Sequence, residues 1–289
     1  MEKAIAQMGG FGRFQWLAAV TLIIAKNGGL YLYYAFAFLT LEQMYQCRYD
    51  TSSPFASCQA ETDICPVLAS GLPTSLEYQV DTSYAYYLNN WYIEMDLVCA
   101  NKLKTNSMIS IHYIFYGISG ILFFSMTDRI GRKPTMTIML GIHSIGQYLL
   151  LFVPTYSARL LGLIILGFSQ IKNTVPYVYL AELVPAKYET AMSASMTSFD
   201  SATAAVVCLY FIMISRDWFP LFFTMSLLST LSYLVIVFIL PESPIWLLNK
   251  GRTADAIAAL NRIGRYNGVE KQIPANAVFL ETKELMTTI

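Results

Sequence analysis

Asp128-Arg129-Ile130-Gly131-Arg132-Lys133-Pro134 stands between two apolar runs, residues 107–127 and 134–154, and its reading decides the fold. The stretch is too charged to lie in hydrocarbon and too short to be a domain. It reads as a tight loop that returns the chain into an apolar layer. A helix needs about 20 apolar residues to cross a bilayer core about 30 Å thick. Six stretches have that length and character: roughly 15–40, 107–127, 134–154, 159–181, 190–214 and 219–240. The composition agrees. Of 289 residues, 55% are hydrophobic, 14% aromatic and 13% charged, and the mean hydropathy is +0.47, outside the soluble globular range. The first stretch is too long for the core of a cleaved signal peptide and lacks a small-residue cleavage site.

Lys and Arg set the expected orientation. With the N-terminus inside, twelve fall on inner segments: Lys3, Arg13, Arg129, Arg132, Lys133, Lys187, Lys250, Arg252, Arg262, Arg265, Lys271 and Lys283. Five fall on outer loops: Arg48, Lys102, Lys104, Arg159 and Arg216. This predicts both termini inside. Zero net charge and the lack of a basic tract argue against nucleic acid as a partner.

Residues 41–106, with eight carboxylates, three prolines and the turn clusters at 51–54 and 70–73, read as a small acidic outer cap. Cys47, Cys58, Cys65 and Cys99 all lie in it, and Cys208 lies in the fifth span. An even set in one polar loop predicts two disulfides in an oxidising compartment, with three connectivities open and free thiols as the bland alternative. No Asn-x-Ser/Thr sequon occurs, which points toward an organelle such as the inner mitochondrial membrane and leaves the plasma membrane open. The segments are therefore 1–40 (N-terminus and first span), 41–106 (cap), 107–240 (spans two to six) and 241–289. In the last, Thr253 is the expected N-cap of an amphipathic helix running to about Tyr266, stopped by Gly268 and lying on the inner membrane surface.

The motifs resemble a known family. The 128–134 loop is similar to the loop between the second and third spans of major facilitator transporters. Gly10-Phe11-Gly12-Arg13-Phe14-Gln15, Glu94-Met95-Asp96-Leu97-Val98-Cys99 and Pro241-Glu242-Ser243-Pro244-Ile245-Trp246-Leu247-Leu248 resemble the organic cation, anion and zwitterion transporters within it. The resemblance implies an all-α fold of six membrane helices, equivalent to the N-terminal half of a transporter. It makes Asp128, Arg129, Gly131, Arg132, Lys133, Glu182 and Glu242 part of the inner loop motif, and places the sites of Phe124, Glu189 and Ile245 in an inner charged latch that locks two halves together. At the latch three positions depart from the pattern: Phe124 replaces a glycine, Glu189 an arginine, and Ile245 an arginine; Gly162 and Gly167 also sit off the family's Arg-x-x-x-Gly spacing. The departures imply a latch that is no longer selected.

Charges within spans cost roughly 2.5–3.5 kcal/mol each on insertion scales, so each is a functional candidate. Lys26 lies in the first span beside Asn27-Gly28-Gly29, Lys172 and Asn173 in the fourth, and Asp200 in the fifth. The resemblance places these spans on a central cavity. Leu30 and Tyr33 follow Lys26 on one helical face, and Tyr113 and Tyr116 stand three apart on the second span. Aromatics with a carboxylate suit an organic cation, whereas two lysines suit an anion. The competing expectation is structural: Asp200 pairs with Lys26 or Lys172, and the tyrosines fill a closed bundle. His112 and His143 read as hydrogen-bonding packing residues, Pro176 as a tolerated kink, and Gly117-Ile118-Ser119-Gly120 as helix packing. No nucleotide loop, metal-ligand spacing or nucleophile–base pair appears, so neither a cofactor nor an enzyme is expected.

Two functional classes follow. One is a transporter-derived subunit of a larger membrane complex. The other is an organic-ion transporter made by pairing two halves. Both require lipid surroundings and a protein partner, another membrane subunit or a second half-transporter.

Overall fold

The structure, a computed structural model, describes residues 2–50, 52–70, 75–275 and 277. Thr51, most of the 70–73 turn cluster and Lys283 lie outside them. The chain is mostly helical. A short α1 (Glu2–Gln7) leads to α2 (Arg13–Asn27) and α3 (Leu30–Leu39), two helices separated only by Gly28-Gly29. The cap then contributes β1 (Tyr45–Arg48), β2 (Ala56–Cys58), α4 (Cys65–Ser70), β3 (Glu77–Val80) and α5 (Trp91–Glu94). The bundle continues with α6 (Lys102–Phe123), α7 (Met126–Ile130), α8 (Arg132–Phe152), α9 (Tyr156–Phe168), α10 (Val175–Leu183), α11 (Ala186–Leu209) and α12 (Phe219–Phe238). Beyond it lie α13 (Pro244–Asn249) and α14 (Thr253–Tyr266).

Among the described residues, four helical segments are long and apolar enough to cross a membrane: Arg13–Leu39, Arg132–Phe152, Ala186–Ile214 and Phe219–Phe238. The sequence reading expected six. The second stretch forms α6, whose 22 residues open with Lys102 and Lys104 and are not among the four. The fourth, expected unbroken over 159–181, is divided. α9 ends at Phe168, a 3-10 turn covers Gln170–Asn173, and α10 starts at Val175. Pro176 therefore sits in the first turn of a new helix, where its missing N–H costs nothing, rather than kinking a continuous one.

The expectation of a purely helical chain also needs correction. The cap holds a three-stranded antiparallel sheet in the order β2-β1-β3, with Cys47 opposite Ala56 and Tyr78. Strands pair here because disulfides hold a segment with too little apolar surface to fold alone. Cys47 bonds Cys58 within the sheet, and Cys65 bonds Cys99 at the foot of α6. Cys208 is free and exposed. The cap is also anchored through Arg159, which is 1% exposed, pairs with Glu94, and lies 4.7 Å from the Trp91 ring and 5.3 Å from the Trp218 ring. Sequence reading counted Arg159 as a loop charge. It is a buried cation held by a carboxylate and two indoles.

Two apolar clusters fill the bundle. One, toward the charged-loop end, includes Leu22, Met136, Leu140, Tyr179 and Ile236. The other, toward the cap, includes Leu32, Leu150, Leu163, Leu166 and Phe222. Between them along each helix lies a layer of polar side chains: Lys26, His143, Gln147, Lys172, Ser226 and Ser229 are all buried. Small serines on α12 let it approach α2 closely.

α14 starts at Thr253, with Arg252 rather than Thr253 preceding the helix, and it ends before Gly268 at φ +79°. Its apolar face, expected on the inner membrane surface, is covered by protein. Ile257 and Leu260 pack on Ala4, Ile5 and Met8 of α1 and its flank, and Ala256 and Ala259 pack on Trp246 and Leu247 of α13. The Asn267 side chain joins the two ends of the chain, accepting from Phe14 N at 2.9 Å and donating to Met8 O at 2.8 Å.

Candidate functional site

The polar layer is built around the break at Gly28-Gly29. A Cβ on Gly28 would lie 2.5 Å from Ser229 Oγ, and one on Gly29 would lie 2.6 Å from the His143 ring, so only glycine fits against these neighbours. Breaking the helix leaves carbonyls at the end of α2 without their usual amide partners. Lys172 supplies donors instead: its Nζ lies 3.3 Å from Ala25 O, 3.2 Å from Lys26 O and 3.0 Å from Asn173 Oδ1. A cation at a helix C-terminus also meets the negative end of the helix dipole. Gln147 Nε2 donates to Gly28 O, and His143 Nδ1 is 2.9 Å from Ser169 Oγ.

Lys26 turns the other way and forms an ion pair with Asp200 Oδ2. Its Nζ also lies 4.9 Å from the Tyr177 ring centroid. Tyr177 Oη donates to Asp200 Oδ2 at 3.4 Å. Asp200 Oδ1 is buried with no hydrogen-bond partner among the described residues. Beside it, Thr203 Oγ1 donates to Asn27 Oδ1 at 3.0 Å, and Asn173 Nδ2 donates to Gln170 Oε1 at 2.5 Å.

The candidates therefore fall into two groups. Lys26, Lys172, Asn173 and Asp200 share the polar layer. Tyr33 joins a second group through His112, whose Nε2 lies 2.6 Å from Tyr33 Oη and whose Nδ1 lies 2.9 Å from Leu163 O. Tyr113 stands 5.7 Å from the Tyr33 ring, Tyr116 is 40% exposed, and Leu30 is half-buried at the start of α3. The single helical face expected to carry Lys26, Leu30 and Tyr33 does not run through, because the helix restarts after Gly29. Tyr177 was missed. Its only signal was its place one turn beyond Lys172 and Asn173.

At the other end of the bundle, the 128–134 loop forms a compact ionic cluster. Arg132 donates to Glu182 from Nε at 3.0 Å and from Nη2 at 2.9 Å, and to Asp128 from Nη1 at 2.8 Å. Glu242 Oε1 accepts from the backbone amides of Arg132 at 3.1 Å, Lys133 at 3.2 Å and Ser243 at 2.7 Å. Gly131 has φ +112°, and a Cβ there would lie 2.1 Å from Glu242 Oε2, so both conformation and space require glycine. Lys133 Nζ donates to Leu240 O at 2.7 Å, while Arg129 points to an exposed surface. Phe124 is 71% exposed, Glu189 is exposed without an ion pair among the described residues, and Ile245 is half-buried.

Several known proteins share this sequence pattern. The chain is 30% identical over 204 residues to an organic cation transporter protein of Drosophila melanogaster, covering 68% of this chain and 36% of that one. An organic cation transporter-like protein of the same species is 26% identical over 309 residues, covering 98% of this chain and 54% of the relative. Human organic cation/carnitine transporter 2 is 25% identical over 184 residues, covering 63% and 33%. The chain thus spans between about a third and about half of the length of these relatives. Residues 69–288 match the sugar (and other) transporter family. That match takes in the later part of the cap, with β3 and α5, and every helix from α6 to α14, so the chain is an integral membrane protein belonging to the sugar (and other) transporter family.

Proposed function

We propose that this chain forms a six-crossing membrane bundle that works only when seated against a second bundle, and that it serves as a fixed subunit of that assembly. The six crossings would be α2–α3, α6, α8, α9–α10, α11 and α12, with the charged loop inside and the disulfide-bonded cap outside. The observation carrying this reading is the contrast between intramembrane lysines that already have protein partners and uncovered helix faces. Lys26 is neutralised by Asp200, and Lys172 holds the end of α2. Neither charge needs a ligand to offset its burial.

Several helices are exposed along one side, and on α6 and α11 the exposed side also carries small or hydroxyl-bearing residues. On α6, Ile114, Ile121 and Leu122 are exposed, and the space beside Gly117 and Gly120 is open, so these glycines do not serve packing within the bundle. On α11, Thr197, Ser198, Ser201 and Val206 are exposed. Small and hydroxyl-bearing residues allow close helix approach and interhelical hydrogen bonds in lipid. Another membrane subunit or a second half-transporter fits these faces. Phe124, Glu189 and Ile245, where the family latch would carry glycine and two arginines, favour a fixed contact over one that opens and closes.

A second reading is organic-ion transport by a paired assembly. The relatives are transporters, and the free Oδ1 of Asp200 beside the Tyr177 ring has the chemistry to hold an organic cation. Alternatively, Lys26 and Lys172 would suit an anion. Liposomes containing the purified chain, offered labelled organic cations and anions from either side, separate the readings. A fixed subunit gives no saturable uptake and is recovered with other membrane proteins after mild detergent extraction. Saturable uptake that disappears in Asp200→Asn or Lys26→Ala would establish transport instead.

A further inference from the structure

A cavity of about 540 Å³ opens at the charged-loop end, between α14, α13 and the start of α8. It belongs to neither the polar layer nor the uncovered faces. Its floor is apolar, formed by the buried Pro241, Trp246 and Leu247 with Pro134 beside them. Its rim carries four cations: Lys133, Arg252, Arg262 and Arg265. Arg262 and Arg265 stand one turn apart on α14, on the side not covered by α1. Lys133 and Arg262 are close enough to repel each other.

Two carboxylates line the same cavity, and both are already engaged. Asp255 pairs with Arg252 at 2.8 Å, and Glu242 accepts from three backbone amides. Lys133, Arg262 and Arg265 have no carboxylate within ion-pair distance among the described residues. The first two donate instead to main-chain carbonyls at the end of the sixth expected span, Lys133 to Leu240 O and Arg262 to Phe238 O, both at 2.7 Å. Like charges held together around an apolar pocket leave an unfilled demand for an anion. Phe238, at 71% exposure, extends the apolar surface toward the bundle.

We propose that this cavity binds a phosphate-bearing anion, with the phosphate against Arg262, Arg265 and Lys133. The apolar floor and the neighbouring end of α12 suit a phospholipid, whose headgroup would meet the cations while its chains lie along the bundle. A soluble phosphate would use the same cations without the floor. The site would fasten α14 to the lipid surface through its charged side, since its apolar side is occupied by protein.

The test uses the full chain purified in neutral detergent and titrated separately with phosphatidylglycerol, phosphatidylcholine and inorganic phosphate. Native mass spectrometry and the thermal midpoint report binding. Phosphatidylglycerol should bind and stabilise, and phosphatidylcholine should do so markedly less. Each charge removed should weaken phosphatidylglycerol binding about fivefold. Arg265→Gln tests this without disturbing a contact, and Arg262→Gln adds the residue that also holds Phe238 O. Binding of inorganic phosphate with the same loss in Arg265→Gln would support the site and make its ligand soluble. Equal binding of the two lipids with no binding of phosphate would overturn the proposal. So would anion binding that Arg265→Gln leaves unchanged.

Discussion

The Lys172 ammonium donates to the main-chain carbonyl of Lys26 at 3.2 Å, so one buried lysine caps the helix end that carries the other. The contact explains how the first crossing can break at Gly28-Gly29 without orphaned carbonyls in an apolar interior. Replacing Lys172 with methionine keeps the length and removes the donors. Leaving buried carbonyls unsatisfied costs about 1–3 kcal/mol. Lys172→Met should therefore lower the thermal midpoint in detergent although it removes a buried charge. A midpoint at or above that of the parent would mean that the carbonyls need no cap.

Lys26 and Asp200 make a different prediction, because here both partners carry charge. Removing one partner of a buried pair costs about 3–5 kcal/mol, whereas removing both costs less. The Lys26 side chain is 5% exposed and that of Asp200 is 21% exposed, so the lower end of that range applies. Lys26→Met and Asp200→Asn should each destabilise the bundle, and the double variant should recover part of the loss. Additive losses in a double-mutant cycle would show that the two charges do not depend on each other.

How much of this was legible in the sequence depended on which physical signal each residue carried. Apolar length found the long helices, because hydrocarbon imposes it directly. The 128–134 loop was legible because Gly131 and the charges around it occupy consecutive positions. The Lys26–Asp200 pair was one of two alternatives, since charge in a span demands a partner but does not name it. Lys172 was harder to place, because backbone carbonyls have no sequence signature. The division of the fourth span was hidden for a related reason: Gln170–Asn173 is short, and Pro176 suits either a kink or a helix start. Arg159 was misread as an outer-loop charge because its partners, Glu94, Trp91 and Trp218, lie far from it in sequence. The cap's strands were missed because three- and four-residue strands carry too few alternations to register.

The two disulfides should differ in what they contribute. Cys65–Cys99 spans 34 residues and Cys47–Cys58 spans 11. Loop-closure entropy favours the longer link by about 1 kcal/mol. Cys65–Cys99 also ties the cap to the foot of α6, whereas Cys47–Cys58 acts within the sheet. Replacing the first pair with serines should lower the unfolding midpoint more than replacing the second. The reverse order would show that the sheet, rather than its tether, limits the stability of the cap.

Glu242 supplies a pH dependence outside the membrane-spanning helices. Burial lifts its carboxyl above the ordinary glutamate range, and the amides of Ser243, Lys133 and Arg132 pull it only partly back. A raised folded value means that the native state holds the proton more tightly than the unfolded chain does. The contribution of this group is therefore fully present below the unfolded value, about 4.3 for glutamate, and is lost as pH rises through the folded value. Glu242→Gln removes that titration while keeping an oxygen able to accept from the same amides. Relative to the variant, the parent should lose thermal stability as pH rises from the unfolded glutamate value, about 4.3, through the raised folded value. Parallel curves for parent and variant across that window would mean that Glu242 titrates alike in the folded and unfolded chain, and that the three amides offset its burial fully.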